Sequence, residues 1–159
     1  GSIHEPNIDA VKFLYEKIMP IVWKTNPELE VSIIGNVSEK LDLKLYPKFK
    51  FLGFVESIEE HFMNSKIMVA PLRFGAGVKG KIGQAFEYFF PVVTTDIGAE
   101  GMKLTDKKNV LIANDENSFA EAIIQLNINE ELWNTLSQHS VDSLRAFSPE
   151  EVKEKLKTL

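Results

Sequence analysis

Cysteine is absent from the 159 residues, which excludes a disulfide framework, a thiolate metal site and a cysteine nucleophile together. Histidine is scarce: His4, His61 and His139 lie far apart, without the spacing of metal-ligand sets, and no metal is expected. No apolar run approaches the ~20 residues that cross a bilayer, and no secretory leader opens the sequence. A cytoplasmic chain without a membrane span is the expectation. Positive charge is in deficit, with 18 Lys and Arg against 23 Asp and Glu and a formal charge of −5. That is the reverse of the basic footprint which nucleic acid or an anionic membrane selects, although a small phosphate ligand needs only local positive charge. Repeats and low-complexity tracts are also missing. Apolar residues are plentiful, at 44%, enough for the core of one domain over residues 1–159.

The chain is organised around the stretch from Ile67 to Met102. Ile67-Met68-Val69-Ala70 reads as a short buried strand, ended by Pro71, which lacks a backbone donor. A loop with Gly75, Gly77 and Gly80 follows, and glycine permits positive φ or a close approach of backbone to a ligand. From about Val78 the pattern turns helical, with Ile82, Ala85 and Phe86 on one stripe. Pro91 to Thr95 is a second apolar strand of the kind covered on both faces. A glycine loop opening into a helix presents unpaired N–H groups and partial positive charge, which suits a phosphate, and Lys79 and Lys81 add charge beside it. The same glycines equally suit a tight strand-to-helix turn with solvated lysines, because neither the G-x-G-x-x-G fingerprint nor the P-loop pattern is met.

The remaining elements follow the same alternation. Asn7 is placed to cap a helix with Ile8, Val11, Leu14, Tyr15 and Ile18 on one face, kinked or ended by Pro20. Glu30–Ile34 and Phe49–Val55 read as strands, with indecisive polar sequence between them. Ser57 is placed to cap a helix from Ile58 to Asn64. Thr95 to Gly101 reads as a second glycine-bearing loop at a strand end, and Asn109–Ala113 as the last core strand. Ser118 or Asp115 caps a helix carrying Phe119, Ala122, Ile123 and Leu126. Leu132, Trp133, Leu136 and Leu144 mark another helix, and Ser148-Pro149 starts a third. The implied class is α/β, and an open sheet of that class binds ligands at the carboxyl ends of its strands.

The segment APLRFGAGVKGKIGQAFEYFFPVVTTDIGAEGM, with HEPNIDAVKFL, VSIIGN, FLGFVESIEEHF and LIANDENSFAEAI in order around it, resembles the nucleotide-sugar-binding domain of GT-B glycosyltransferases of the GT4, or group 1, type. The resemblance implies a Rossmann-like three-layer domain with a parallel sheet, the C-terminal half of a GT-B fold. In that reading the domain's own first hydrophobic strand, expected before HEPN, and a preceding acceptor-binding half lie outside these residues, and the isolated domain would not turn over. It further implies a nucleotide-diphosphate-sugar donor, transfer with retention, and a place in bacterial polysaccharide synthesis. No cofactor is implied.

On this resemblance the backbone of Gly75, Ala76, Gly77 and Val78 cradles the diphosphate, and Lys79 and Lys81 stabilise charge on the leaving group. Gln84 meets the ribose, Gly53, Phe54 and Val55 border the base, and Glu100 approaches the sugar hydroxyls. Phe54 as a core residue and Glu100 as a solvated carboxylate are the alternatives. Three positions depart from the family pattern: Gln84 and Ala76 replace carboxylates, and Phe89-Phe90 stands where Gly-Leu is usual. A neutral Gln bonds hydroxyls more weakly than a carboxylate does, and a phenylalanine just past a helix end is expected to be strained or to end the helix differently. These departures keep open a non-catalytic binding or scaffolding module. An unrelated sugar epimerase of the same architecture is a further alternative, and oligomeric state is left open.

Overall fold

Residues 1–75 and 79–145 are described by a computed structural model. The first helix, α1, spans Glu5–Phe13, with His4 at its N-cap and Pro6 in its first turn. Asn7 does not cap it. Pro6 brings a fixed φ suited to a helix start, so the helix opens earlier, and the Asn7 amide instead donates to the Ser2 carbonyl and hydroxyl. The chain widens into a π-turn over Leu14–Ile18 before α2, Met19–Thr25. Pro20 cannot donate a hydrogen bond, and its ring would crowd the carbonyl four residues back, which the wider turn accommodates.

Strand β1, Val31–Ile34, pairs in parallel with β2, Phe49–Gly53. Two 3₁₀ turns, Asn36–Lys40 and Leu43–Leu45, link them. Helix α3, Glu59–Met63, follows without a side-chain cap from Ser57, since Ile58 occupies the N-cap. Strand β3, Met68–Ala70, helix α4, Lys79–Glu87, and strand β4, Val92–Thr94, then form a parallel crossover unit. The loop after β4 contains a short helix, α5, Asp96–Ala99, and leads to β5, Leu111–Ile112, parallel to β4. Helices α6, Glu116–Ile128, and α7, Glu130–Arg145, complete the described chain. Asp115, not Ser118, caps α6, accepting from the Ser118 N–H at 2.8 Å. The third helix expected from Ser148 lies outside the described residues, as do Val152, Leu156 and Leu159.

The five strands are parallel but fall into two sheets, β1-β2 and β3-β4-β5. Successive side chains on a strand point to opposite faces, and the three-stranded sheet divides its residues between two cores accordingly. Val69, Val93 and Leu111 join the core under α2 and α6, with Phe119, Ile123 and Leu126. Ala70, Val92, Val110 and Ile112 join the other core, with Ile82, Ala85 and Phe86 of α4. This is the expected three-layer α/β arrangement. Ile82, Ala85 and Phe86 are fully buried, so the predicted stripe of α4 is its sheet-facing face.

Helix α4 ends on a residue that ordinarily would not be chosen. Phe89 has φ 56, the Phe90 N–H donates to the Ala85 carbonyl at 3.0 Å, and the Phe89 N–H donates to Phe86 at 3.0 Å. Those two bonds form a Schellman ending, whose left-handed position is normally glycine. The strain expected at Phe89 from the sequence is therefore present.

Candidate functional site

The loops that leave the carboxyl ends of the strands gather most of the candidate residues along one rim. After β2, Gly53 takes φ 66, and its carbonyl accepts from the Gly35 N–H at 2.7 Å, tying the ends of β1 and β2 together. Phe54 comes next and is 78% exposed, so it is no core residue, and Val55 beyond it is half-buried. The rim is thus open at Phe54.

Gly75, after β3, has φ 85, and a Cβ there would stand 2.4 Å from Cγ of Pro6. Glycine is required twice over, by backbone conformation and by the wall of α1. The start of α1 therefore lies against the loop after β3. Ala76, Gly77 and Val78 lie outside the described residues, and the chain resumes with Lys79 as the first residue of α4.

Lys81 and Gln84, both half-buried, follow on α4. Lys81 lies near Gly1. Gly1 in turn donates to the Ile34 carbonyl. Because the Gly35 N–H points to β2, the Ile34 carbonyl points to the opposite edge of β1. Lys81 thereby stands near the edge of β1 that faces away from β2.

The loop after β4 is built differently. The Thr94 hydroxyl donates to the Ala70 carbonyl at 2.8 Å, and the Thr95 hydroxyl donates to Leu72 at 2.6 Å while accepting from the Gly98 N–H at 3.2 Å. Both threonines are buried. Asn114, after β5, accepts from the Asp96 N–H at 2.9 Å and donates to the Asp96 carboxylate at 2.8 Å. Glu100 follows α5 and is exposed, within reach of solvent or ligand. Among the described residues, no group of three or more His, Asp or Glu side chains is placed to hold a metal ion.

Several contributors escaped sequence reading. Arg73 donates through Nε and Nη2 to the two Asp9 oxygens at 2.8 and 2.5 Å, and its guanidinium lies 4.5 Å from the Phe13 ring centroid. The hydrogen bond to Asp9 raises the Arg73 pKa above its ordinary value. Asp9 and Arg73 are 64 residues apart, so no local pattern joins them. The Thr94, Thr95 and Asn114 anchors were likewise unmarked, although a Thr-Thr pair at a buried strand end offers two donors that must find carbonyls.

Similarity to known proteins follows the geometry. Residues 1–129 match the family described as Glycosyl transferases group 1. A protein from Klebsiella pneumoniae described as "Uncharacterized 44.6 kDa protein in cps region" is 29% identical over 93% of this chain, which spans 43% of that protein's length. The structure of the C-terminal domain of a glycosyl transferase group 1 family protein, LpcC, from Francisella tularensis aligns with 92% of this chain and 82% of its own, with a TM-score of 0.70 at 17% identity. A structure of a mutant S. aureus TarM, in complex with Fondaparinux, alpha-GlcNAc-glycerol and UDP, aligns with 98% of this chain at a TM-score of 0.76 and 22% identity. The chain spans 33% of that protein. With the family profile covering all five strands and the fold of a GT-B C-terminal half beneath it, the chain belongs to the group 1 glycosyltransferases.

Proposed function

We propose that this chain is the donor-binding half of an enzyme that transfers a sugar from a nucleoside diphosphate to an acceptor. The carrying observation is that Gly53 to Val55, Gly75, the opening of α4 and the loop that carries Glu100 all follow carboxyl ends of parallel strands, β2 in one sheet and β3 and β4 in the other. The UDP in the TarM complex supports a nucleotide as this chain's ligand. In this reading the base lies by Phe54 and Gln84 meets the ribose. Backbone N–H groups from Gly75 onward meet the diphosphate, Lys79 and Lys81 counter the charge that grows on the leaving group, and Glu100 meets sugar hydroxyls. Preorganised charge of this kind commonly dominates the catalytic effect. A preceding half supplies the acceptor site and the remaining groups, so residues 1–159 alone do not turn over.

Retention at the anomeric carbon, a cytoplasmic place and a role in bacterial surface polysaccharide belong to the same proposal. The polysaccharide role is favoured by the "cps region" wording of the Klebsiella relative. Calorimetric titration of the full-length protein with UDP, GDP and their sugar conjugates tests it. Saturable binding that weakens at least tenfold in Lys81→Ala is expected. A folded protein that takes up none of these nucleotides would overturn the donor reading in favour of a non-catalytic module.

A further inference from the structure

We propose that Asp9 and Arg73 form a positioning clamp that sets where the chain leaving β3 stands on the donor rim; the proposal rests on the donor-binding reading. The guanidinium is fixed in two ways, both from α1: a two-point hydrogen bond to Asp9 and the Phe13 ring beneath it. Two residues later the same strand exit meets α1 again, where Gly75 lies against Pro6 with no room for a Cβ. Pro6, Asp9 and Phe13 thus form one ridge of α1 that touches the exit at both Arg73 and Gly75.

Stability is a poor account of this pair. The Arg73 side chain is 48% exposed and that of Asp9 22%, and exposed ion pairs contribute little to folding. A carboxylate on the rim of an anion site is also costly unless it holds something in place. Here it occupies the Nε and Nη2 donors that a bidentate phosphate contact would use. Arg73 accordingly serves as an anchor, and the backbone beyond it makes the ligand contact.

The sign of one substitution separates this from the alternative in which Arg73 itself grips the phosphates. In the full-length protein, Asp9→Asn and Arg73→Lys are each expected to weaken UDP or GDP binding at least tenfold. The unfolding midpoint should move by no more than about 3 °C, and amide exchange over residues 72–75 should accelerate. Lysine keeps the charge but loses the planar fork, so its failure to substitute marks geometry as the cause. Unchanged or tighter nucleotide binding in Asp9→Asn overturns the clamp, since freeing a phosphate-binding arginine would raise affinity. If the wild-type protein binds neither nucleotide, the donor reading fails separately, and the exchange measurement decides: unchanged exchange over residues 72–75 overturns the clamp, and faster exchange supports it.

Discussion

The loops after β3 and β4 leave adjacent strands on the same side of the sheet, yet they are held by different physics. The β4 loop is pinned from within. Thr94 and Thr95, both buried, donate to carbonyls of the neighbouring β3 segment, and Gly98 packs so closely that a Cβ would lie 2.0 Å from the Thr94 Oγ1. The β3 loop is pinned from outside, by an ion pair on the surface of α1 and a proline wall. Buried hydrogen bonds cannot be exchanged for water and so tie a loop to global folding. Surface pairs contribute less to folding. The β4 loop is therefore tied to global folding, and the 73–75 exit from β3 is held at the protein surface.

Three substitutions would break or sharpen that contrast. Gly98→Ala should cost most, about 2–3 kcal/mol in denaturant unfolding, because the new methyl must displace the buried Thr94 hydroxyl. A cost near zero would mean that the buried Thr94 contact does not hold the β4 loop to the fold. Thr95→Val preserves shape but leaves the Leu72 carbonyl and the Gly98 N–H without their partner. A loss of about 1–2 kcal/mol is expected in the same assay. Phe89→Gly should act in the opposite direction. It relieves a left-handed phenylalanine at the far end of α4, and thermal unfolding should show a gain of about 0.5–1 kcal/mol. Nucleotide affinity should not change, since the opening of α4, and not its end, lies on the rim. A loss of affinity would show that the strain at Phe89 is transmitted along the helix.

Much of the frame was legible because it rests on short-range pattern. The strands near 31–34, 49–53, 68–70 and 92–94 coincide with apolar runs bounded by Gly, Pro or Asn. The Ile82, Ala85 and Phe86 stripe, the positive φ of Gly75 and the strain at Phe89 all follow from residue chemistry at single positions. Helix starts were read less well. Asn7 and Ser57 are good capping residues, but Pro6 and the approach to α3 set the boundary elsewhere. Asp115 prevailed over Ser118 because its carboxylate reaches the N–H of Ser118 itself. The aromatic cluster around Tyr15, with rings of Trp23, Tyr46 and Phe49 at 4.7 to 5.6 Å, had no sequence signal, since its members come from three segments.

What the amino-acid sequence by itself determined is the order of elements and the glycine-bearing exits from the strands, since hydrophobic period and backbone freedom are local properties of the chain. Tertiary structure alone decided what those exits lean on. Asp9 meets Arg73 across 64 residues, Pro6 forms the wall for Gly75, and Lys81 stands over the edge of β1. Such contacts are made when helices dock across parallel strands, and no spacing along the chain encodes the distance between two faces that meet only after folding.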